Sequence, residues 1–201
     1  MQDFTQDAMQ KARHDALQLL TTRRSVKPMD LRGPGPSPGE IETLLKVASR
    51  VPDHGKLTPW RFVIFEGDAR LTAGDIIAKI FTQKNPQATT EQVDFERKRL
   101  ARAPLVIAVV SRAAPHVKIP EWEQQLSSGA SAMSLVIAAH AIGYAASWLT
   151  EWYAYDRAVL DALGLAPNER IAAFVHIGRP AQPPQDRPRP SLPDITTRHR
   201  T

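Results

Sequence analysis

The chain has 201 residues, 42% hydrophobic and 23% charged, with no cysteine and a formal net charge of +5. This suits one globular domain and excludes disulfides, thiolate metal sites, iron–sulfur clusters and a cysteine nucleophile. No apolar run approaches the roughly 20 residues that span a bilayer, and residues 1–7, a flexible start, carry no apolar signal core, so the expected compartment is the cytoplasm.

Residues 7–22 read as a helix, because Met9, Ala12, Ala16, Leu17 and Leu20 recur at helical spacing. It stops at a basic turn, Arg23-Arg24-Ser25-Val26-Lys27, and Pro28 blocks a restart. A Pro/Gly loop covers 31–36. Ser37-Pro38-Gly39-Glu40 is a capping box that starts a helix turning Ile41, Leu44, Leu45 and Ala48 inward, ending before Pro52. Trp60 to Phe65, aromatic and β-branched, reads as a strand. Helices are expected at about 69–82 and 89–101, in what reads as the most exposed region. Pro104 to Val110 is continuously apolar, as a strand buried on both faces would be. Pro120 opens a long helix to about Ile142, apolar almost all round from Ala130 to Ala141, with small residues from Ser127 to Ala132 that admit another backbone. A strand at 145–149, a short helix near 155–163 stopped at Gly164 and a strand at 170–177 complete the layered part. Six of the 17 prolines fall between Pro180 and Pro193, so residues 179–201 read as an extended arm, and Leu192 and Ile195 favour its docking. The whole chain, 1–201, reads as one α/β or α+β domain.

No Gly-x-Gly-x-x-Gly, P-loop or Gly-x-Ser-x-Gly motif is present, and the six histidines show no metal-ligand spacing. His140 and His176 sit in apolar elements and read as structural. An enzyme built this way relies on a cofactor for its chemistry. The basic turn suits one that carries a phosphate. Arg23 can grip it with two parallel hydrogen bonds, Ser25 adds a neutral donor, and Lys27 can reach the cofactor's other end. A solvated helix C-terminus is the plainer reading of the same cations. A second cue, Arg50-Val51-Pro52-Asp53-His54 leading to Pro59-Trp60, raises the odds of a site for a phosphorylated aromatic cofactor. The positive charge is otherwise spread along the chain, without a nucleic-acid-binding signature.

Arg23-x-Ser25-x-Lys27, Pro52 with Pro59-Trp60, the helix ending at Gly143-Tyr144, and Gly178-x-Pro180 with Arg187-x-Arg189 together resemble the FMN-dependent nitroreductase family. Arg50-x-Pro52-Asp53-His54 and Pro120-x-Trp122-Glu123-Gln124 resemble its compact NAD(P)H nitroreductase subgroup. The resemblance runs from about Ala16 to Thr197. It implies an α+β, three-layer α-β-α sandwich with a central mixed sheet and a C-terminal strand exchanged in a homodimer. It implies FMN as cofactor, NAD(P)H as co-substrate and a small-molecule electron acceptor, with no nucleic acid or membrane partner. Arg23, Arg24 and Ser25 would hold the phosphate and ribityl chain, and Lys27 would face N1/O2 of the ring as an electrostatic residue. Arg50 and His54 would reach FMN from the neighbouring subunit. Trp148, Leu149 and Thr150 would line the ring beside N5, and Arg187 and Arg189 would return to the phosphate. No side chain is assigned a catalytic role of its own. In some relatives the helix end at 138–143 is assigned to the nicotinamide nucleotide; here a packed helix end is the expected role. A flavin-binding protein without turnover, such as a sensor or store, is the alternative.

Overall fold

The computed structural model describes residues 15–199. Helix α1 covers residues 15–22, and the rest of its predicted span lies outside the described residues. Strand β1 is short, Leu31–Arg32. Helix α2, Pro38–Ala48, carries the predicted capping box: Ser37 Oγ accepts from the Glu40 amide, and the Glu40 carboxylate accepts from the Ser37 amide. Then come β2 (Trp60–Glu66), α3 (Ala69–Lys84), α4 (Thr90–Arg97) and β3 (Leu105–Ser111). The long helix α5 is Glu121–Ala141, followed by β4 (Ala145–Leu149), α6 (Arg157–Ala162) and β5 (Arg170–Pro180). The last element, α7, is one turn, Leu192–Ile195. Among the described residues no helix is long and apolar enough to cross a membrane.

The strands form one sheet in the order β1-β5-β3-β2, with β4 also on β5. Side-chain alternation sorts the sheet into two faces. Leu105, Ile107, Val109, Ala173, Val175 and Ile177 pack under α2 and α5. Val106, Ala108, Val110 and Phe174 pack with Ile77 of α3, Leu160 of α6 and Tyr153. This is the expected three-layer sandwich. The register of β3 on β5 slips at Val109/Val110, where Val109 opposes Ala173 but Val110 opposes Ile171. Ala172 is the extra residue, and the bulge returns Ile171 to the same face as Phe174.

Three features differ from the sequence reading. Every pairing among the described residues is antiparallel, where a mixed sheet is expected. The supposed loop at 31–36 begins with β1, and β5 runs three residues past Ile177, because Leu31 and Arg32 pair with Pro180 and Arg179 at the sheet's end, where proline is tolerated. Helix α3 packs Ala73, Ile77 and Ala78 into the core, so the most exposed region is the arm after Pro180, not the middle of the chain. A single helical turn interrupts that arm, with Leu192 73% and Ile195 63% exposed.

His176 of β5 is fully buried. Its Nε2 lies 3.4 Å from the Arg99 carbonyl, and its Nδ1 has no partner among the described residues. Burial, and then the charge of Arg102, push its imidazole down to about 4. An unfolded histidine takes up its proton near pH 6.5, which the folded ring resists until about 4, so stability present above pH 6.5 drains away as pH falls through this window. The loss amounts to about 3 kcal/mol. Urea unfolding at pH 7 and pH 4.5 is expected to show it in the wild type and not in His176→Gln. An equal loss in both would assign acid sensitivity to other groups.

Candidate active site

The basic turn is fixed from two sides. The Val26 amide donates to the Ala146 carbonyl, 3.2 Å, along the β4 edge, and Val26 packs with Leu31, Ala103 and Ala145. At the end of α5, His140 bridges the Val136 carbonyl, 2.8 Å from Nδ1, and the Arg24 carbonyl, 2.9 Å from Nε2. The helix end at 138–143 is thus a packed structural corner, as its sequence suggests.

The arm closes the turn from the third side. The Ala181 amide donates to the Asp30 carbonyl, 2.8 Å, and Arg24 Nε donates to the Gln185 carbonyl, 3.0 Å. Asp186 sits between Arg24, at 3.5 Å, and Arg189, at 3.1 Å. Turn and arm together enclose a cleft of about 370 Å³, lined on one side by Ser25, Lys27 and Arg32 and on the other by Gln182 to Gln185. Arg23 is half-buried at its edge of the turn, and Lys27 is exposed. One hydroxyl and two cations, Lys27 and Arg32, against a single acid, Asp30, leave the space with a net positive lining that suits an anionic group.

A second cleft, of about 280 Å³, lies between the first half of α5 and the start of β5. Trp148 lines it with Ser128, Gly129 and Arg170. The indole Nε1 donates to the Ala172 carbonyl at 3.1 Å. The acceptor belongs to the bulged residue, which is how the bulge holds this side chain in place. The next two residues, Leu149 and Thr150, are half-buried where β4 ends.

Immediately beyond, Glu151 is tied to the turn after α4, Trp152 to the last turn of α4 itself, and Tyr153 to Glu151. Glu151 accepts from Arg99 at 2.5 Å, from both terminal nitrogens of Arg102 and from the Tyr153 hydroxyl at 2.9 Å. Trp152 Nε1 donates to Glu96 at 2.7 Å, and Arg99 holds Glu96 with two bonds of its own. Burial alone would push the Glu151 carboxyl up; hydrogen bonds from Arg102 and Tyr153, with the charges of both arginines, hold it below the usual carboxylate range. Burial, then the Glu151 charge, push the Tyr153 phenol up.

His54 and Arg50 belong to a different surface of this chain. His54 Nδ1 is 2.8 Å from Glu123 in the first turn of α5, and Arg50 is exposed after α2. Their loop is bent by left-handed backbone at Gly55, Lys56 and Thr58, with φ of 71°, 55° and 47°. The Asp53 carboxylate holds it, accepting from the Leu57 amide at 3.0 Å and the Thr58 amide at 2.9 Å.

The structure therefore gathers Ser25 and Lys27 with the arm, and Arg24 with Arg189 through Asp186. Arg187 is exposed beside them. It sets Trp148 in the second cleft and leaves Arg50 and His54 outside both. Trp122, the aromatic expected at a pocket mouth, is 66% exposed on α5 and lines neither cleft. Arg32 and Asp186 escaped the sequence reading. Arg32 joins the cleft only because β1 pairs with the far end of β5, and Asp186 gave no motif. The Glu96–Arg99–Arg102–Glu151 cluster was equally hidden, although Arg and Glu three apart at 96 and 99 are a helical pairing signal.

Known proteins are similar throughout. YdjA of Escherichia coli (strain K12), provisionally named an NAD(P)H nitroreductase, is 32% identical over 168 residues, 83% of this chain and 88% of its own. The solved nitroreductase-like family protein from Bacillus cereus superimposes with a TM-score of 0.81 at 20% identity, over 92% of this chain and 95% of that one. A provisionally named nitroreductase from Desulfovibrio desulfuricans, solved in complex with FMN, gives a TM-score of 0.70 at 24% identity, covering 92% and 97%. Residues 20–179, from the end of α1 almost to the end of β5, match the Nitroreductase family, and with the sandwich and its basic turn in place the chain belongs to that family.

Proposed function

We propose that the chain is an FMN-dependent oxidoreductase that passes hydride from NAD(P)H to a nitroaromatic, quinone or related acceptor in a ping-pong cycle. The observation that carries this reading is the cleft between the basic turn and the arm, with Ser25, Lys27 and Arg32 on its wall. Its cations and hydroxyl match a phosphate, and its volume lies in the range of ligand pockets. The name of YdjA and the FMN complex of the D. desulfuricans protein support the same chemistry. When bound, FMN supplies the hydride-transferring atom, N5, which no side chain here can replace. The chain's own residues bind and orient. Arg23, Arg24 and Ser25 hold the phosphate and ribityl end, Arg187 and Arg189 approach it from the arm, and Lys27 sets a positive charge at the N1/O2 edge. The backbone of Trp148, Leu149 and Thr150 borders the ring. Purified protein is expected to be yellow and to release FMN on heating. Colourless protein that takes up no added FMN would remove this reading and the sensor-or-store alternative together.

The active unit in this proposal is a cytoplasmic homodimer, with Arg50 and His54 completing the partner's site and the part of the arm beyond Arg189 exchanged, since Ala181 to Asp186 stay on their own turn. Apolar side chains left outside in a single chain support it: Leu17 and Leu20 on α1, Trp122 and Leu126 on α5, and Leu192 and Ile195 on the arm are all about half exposed or more. Sedimentation at micromolar concentration is expected to give a dimer. Because Arg179 and Pro180 belong to the sheet, a truncation that tests the arm alone starts at Gln182. Deleting 182–201 is expected to weaken FMN binding about tenfold or more, the equivalent of about 1.4 kcal/mol, and to shift the dimer toward monomer. Full flavin and full dimer after truncation would reduce the arm to an appendage.

A further inference from the structure

We propose that Glu151 is a positioning residue for the flavin ring, acting through the backbone of Leu149 and Thr150; the inference rests on the function proposed above. The sheet ladder holds β4 only as far as Leu149, which opposes Phe174. Thr150 and Glu151 lie outside regular structure, so the ladder does not set where the chain goes next. Side chains do. Both Glu151 oxygens are taken, Oε1 by Arg99 and Arg102 and Oε2 by Arg102 and Tyr153. Trp152 is bound to Glu96, which Arg99 also grips. Both ends of the tether are packed: Leu100, between the two arginines, and Tyr153, on the near side, are fully buried.

Stability alone does not call for such a cluster. Apolar side chains of the same volume hold a loop as well as a desolvated ion pair does, or better. What four interlocked charged groups add is direction, since bidentate bonds define an angle as well as a distance. Two acids and two bases also cancel, so the cluster imposes little net field on its surroundings. Its product is the place of one short backbone segment, the segment assigned to the N5 side of the ring. A displacement there of about 1 Å is enough to cost about a hundredfold in a positioned reaction.

The test uses the full-length, FMN-loaded protein. Glu151→Gln is expected to keep FMN affinity within about threefold, because the phosphate contacts lie elsewhere. It is expected to shift the visible spectrum of the bound flavin and to slow its reduction by NADH or NADPH about tenfold or more in stopped flow. Glu151→Gln also leaves one positive charge in excess, so the charge-balanced double variant Glu151→Gln/Arg102→Gln separates place from field. The double variant stays slow if position is what matters, and its recovery to the wild-type rate would overturn the proposal. Tyr153→Phe removes one bond and no charge, and is expected to slow reduction about threefold; it carries the test if Glu151→Gln does not fold. Wild-type spectrum and rate in the folded variants overturn this inference alone. A wild-type protein that binds no FMN overturns it together with the function on which it rests.

Discussion

Lys27→Met is expected to slow reduction of the bound flavin by NAD(P)H about ten- to hundredfold while the protein stays folded and yellow. The reason is electrostatic. Reduction gathers negative charge at one edge of the ring, and a cation already fixed there needs no reorganisation when the charge arrives. Removing one such preorganised partner from a closed site typically costs about 10²–10³ in rate. Lys27 lines an open cleft and is exposed, so water screens part of its field and the lower range applies. The same loss is expected to lower the flavin's two-electron potential, and each tenfold in the equilibrium corresponds to about 30 mV. Dye-equilibration potentiometry and stopped-flow reduction measure the two quantities separately. An unchanged potential in a folded, FMN-loaded Lys27→Met protein would take the ring away from this residue.

Arg23→Ala is expected to weaken FMN binding far more than Arg24→Ala. The two arginines are adjacent in sequence but differ in what they already hold. Arg24 donates to the Gln185 carbonyl and pairs with Asp186, so its charge is largely committed to the arm. The Arg23 guanidinium has no hydrogen-bond partner among the described residues and is half-buried at the turn. Loss of one charge-assisted contact to phosphate costs about 1.5–3 kcal/mol, about ten- to hundredfold in affinity. Arg24→Ala removes a cation already shared with Asp186 and loosens the arm, and its effect is expected to stay below about fivefold. Fluorescence titration of the apo-protein with FMN compares them. Equal and small effects would move the phosphate elsewhere.

Much of this architecture is legible in the sequence because local signals and tertiary packing agree. Ser37 and Glu40 announce α2 by a cap that needs no tertiary partner, and the short, β-branched apolar run from Leu105 to Val110 reads as a strand covered on both faces, which it is. The basic turn is legible for the same reason, as three cations and a hydroxyl packed into five residues. What stayed hidden depends on distant pairing. Two residues, Leu31 and Arg32, carry no periodicity, and they are a strand only because Arg179 and Pro180 arrive beside them. The bulge at Ala172 has no glycine to mark it, yet it decides where the Trp148 indole is held. The tether at Glu151 joins residues 49 to 52 positions apart, and sequence alone does not rank that pairing above the chain's many other Arg–Glu combinations.

Strand β5 has a consequence for how the protein is made. It pairs with β1, β3 and β4, yet it is the last strand among the described residues. During synthesis the antiparallel β2–β3 pair, joined through α3 and α4, and then α5 emerge while the strand that joins them to the rest is still inside the ribosome. Co-translational folding is therefore expected to stop at a two-stranded pair and loose helices, with the sandwich closing late, once residues 170–180 are free. Until then the long apolar edge of β3 is open to other chains, which makes the nascent protein, rather than the finished one, the form most in need of a chaperone.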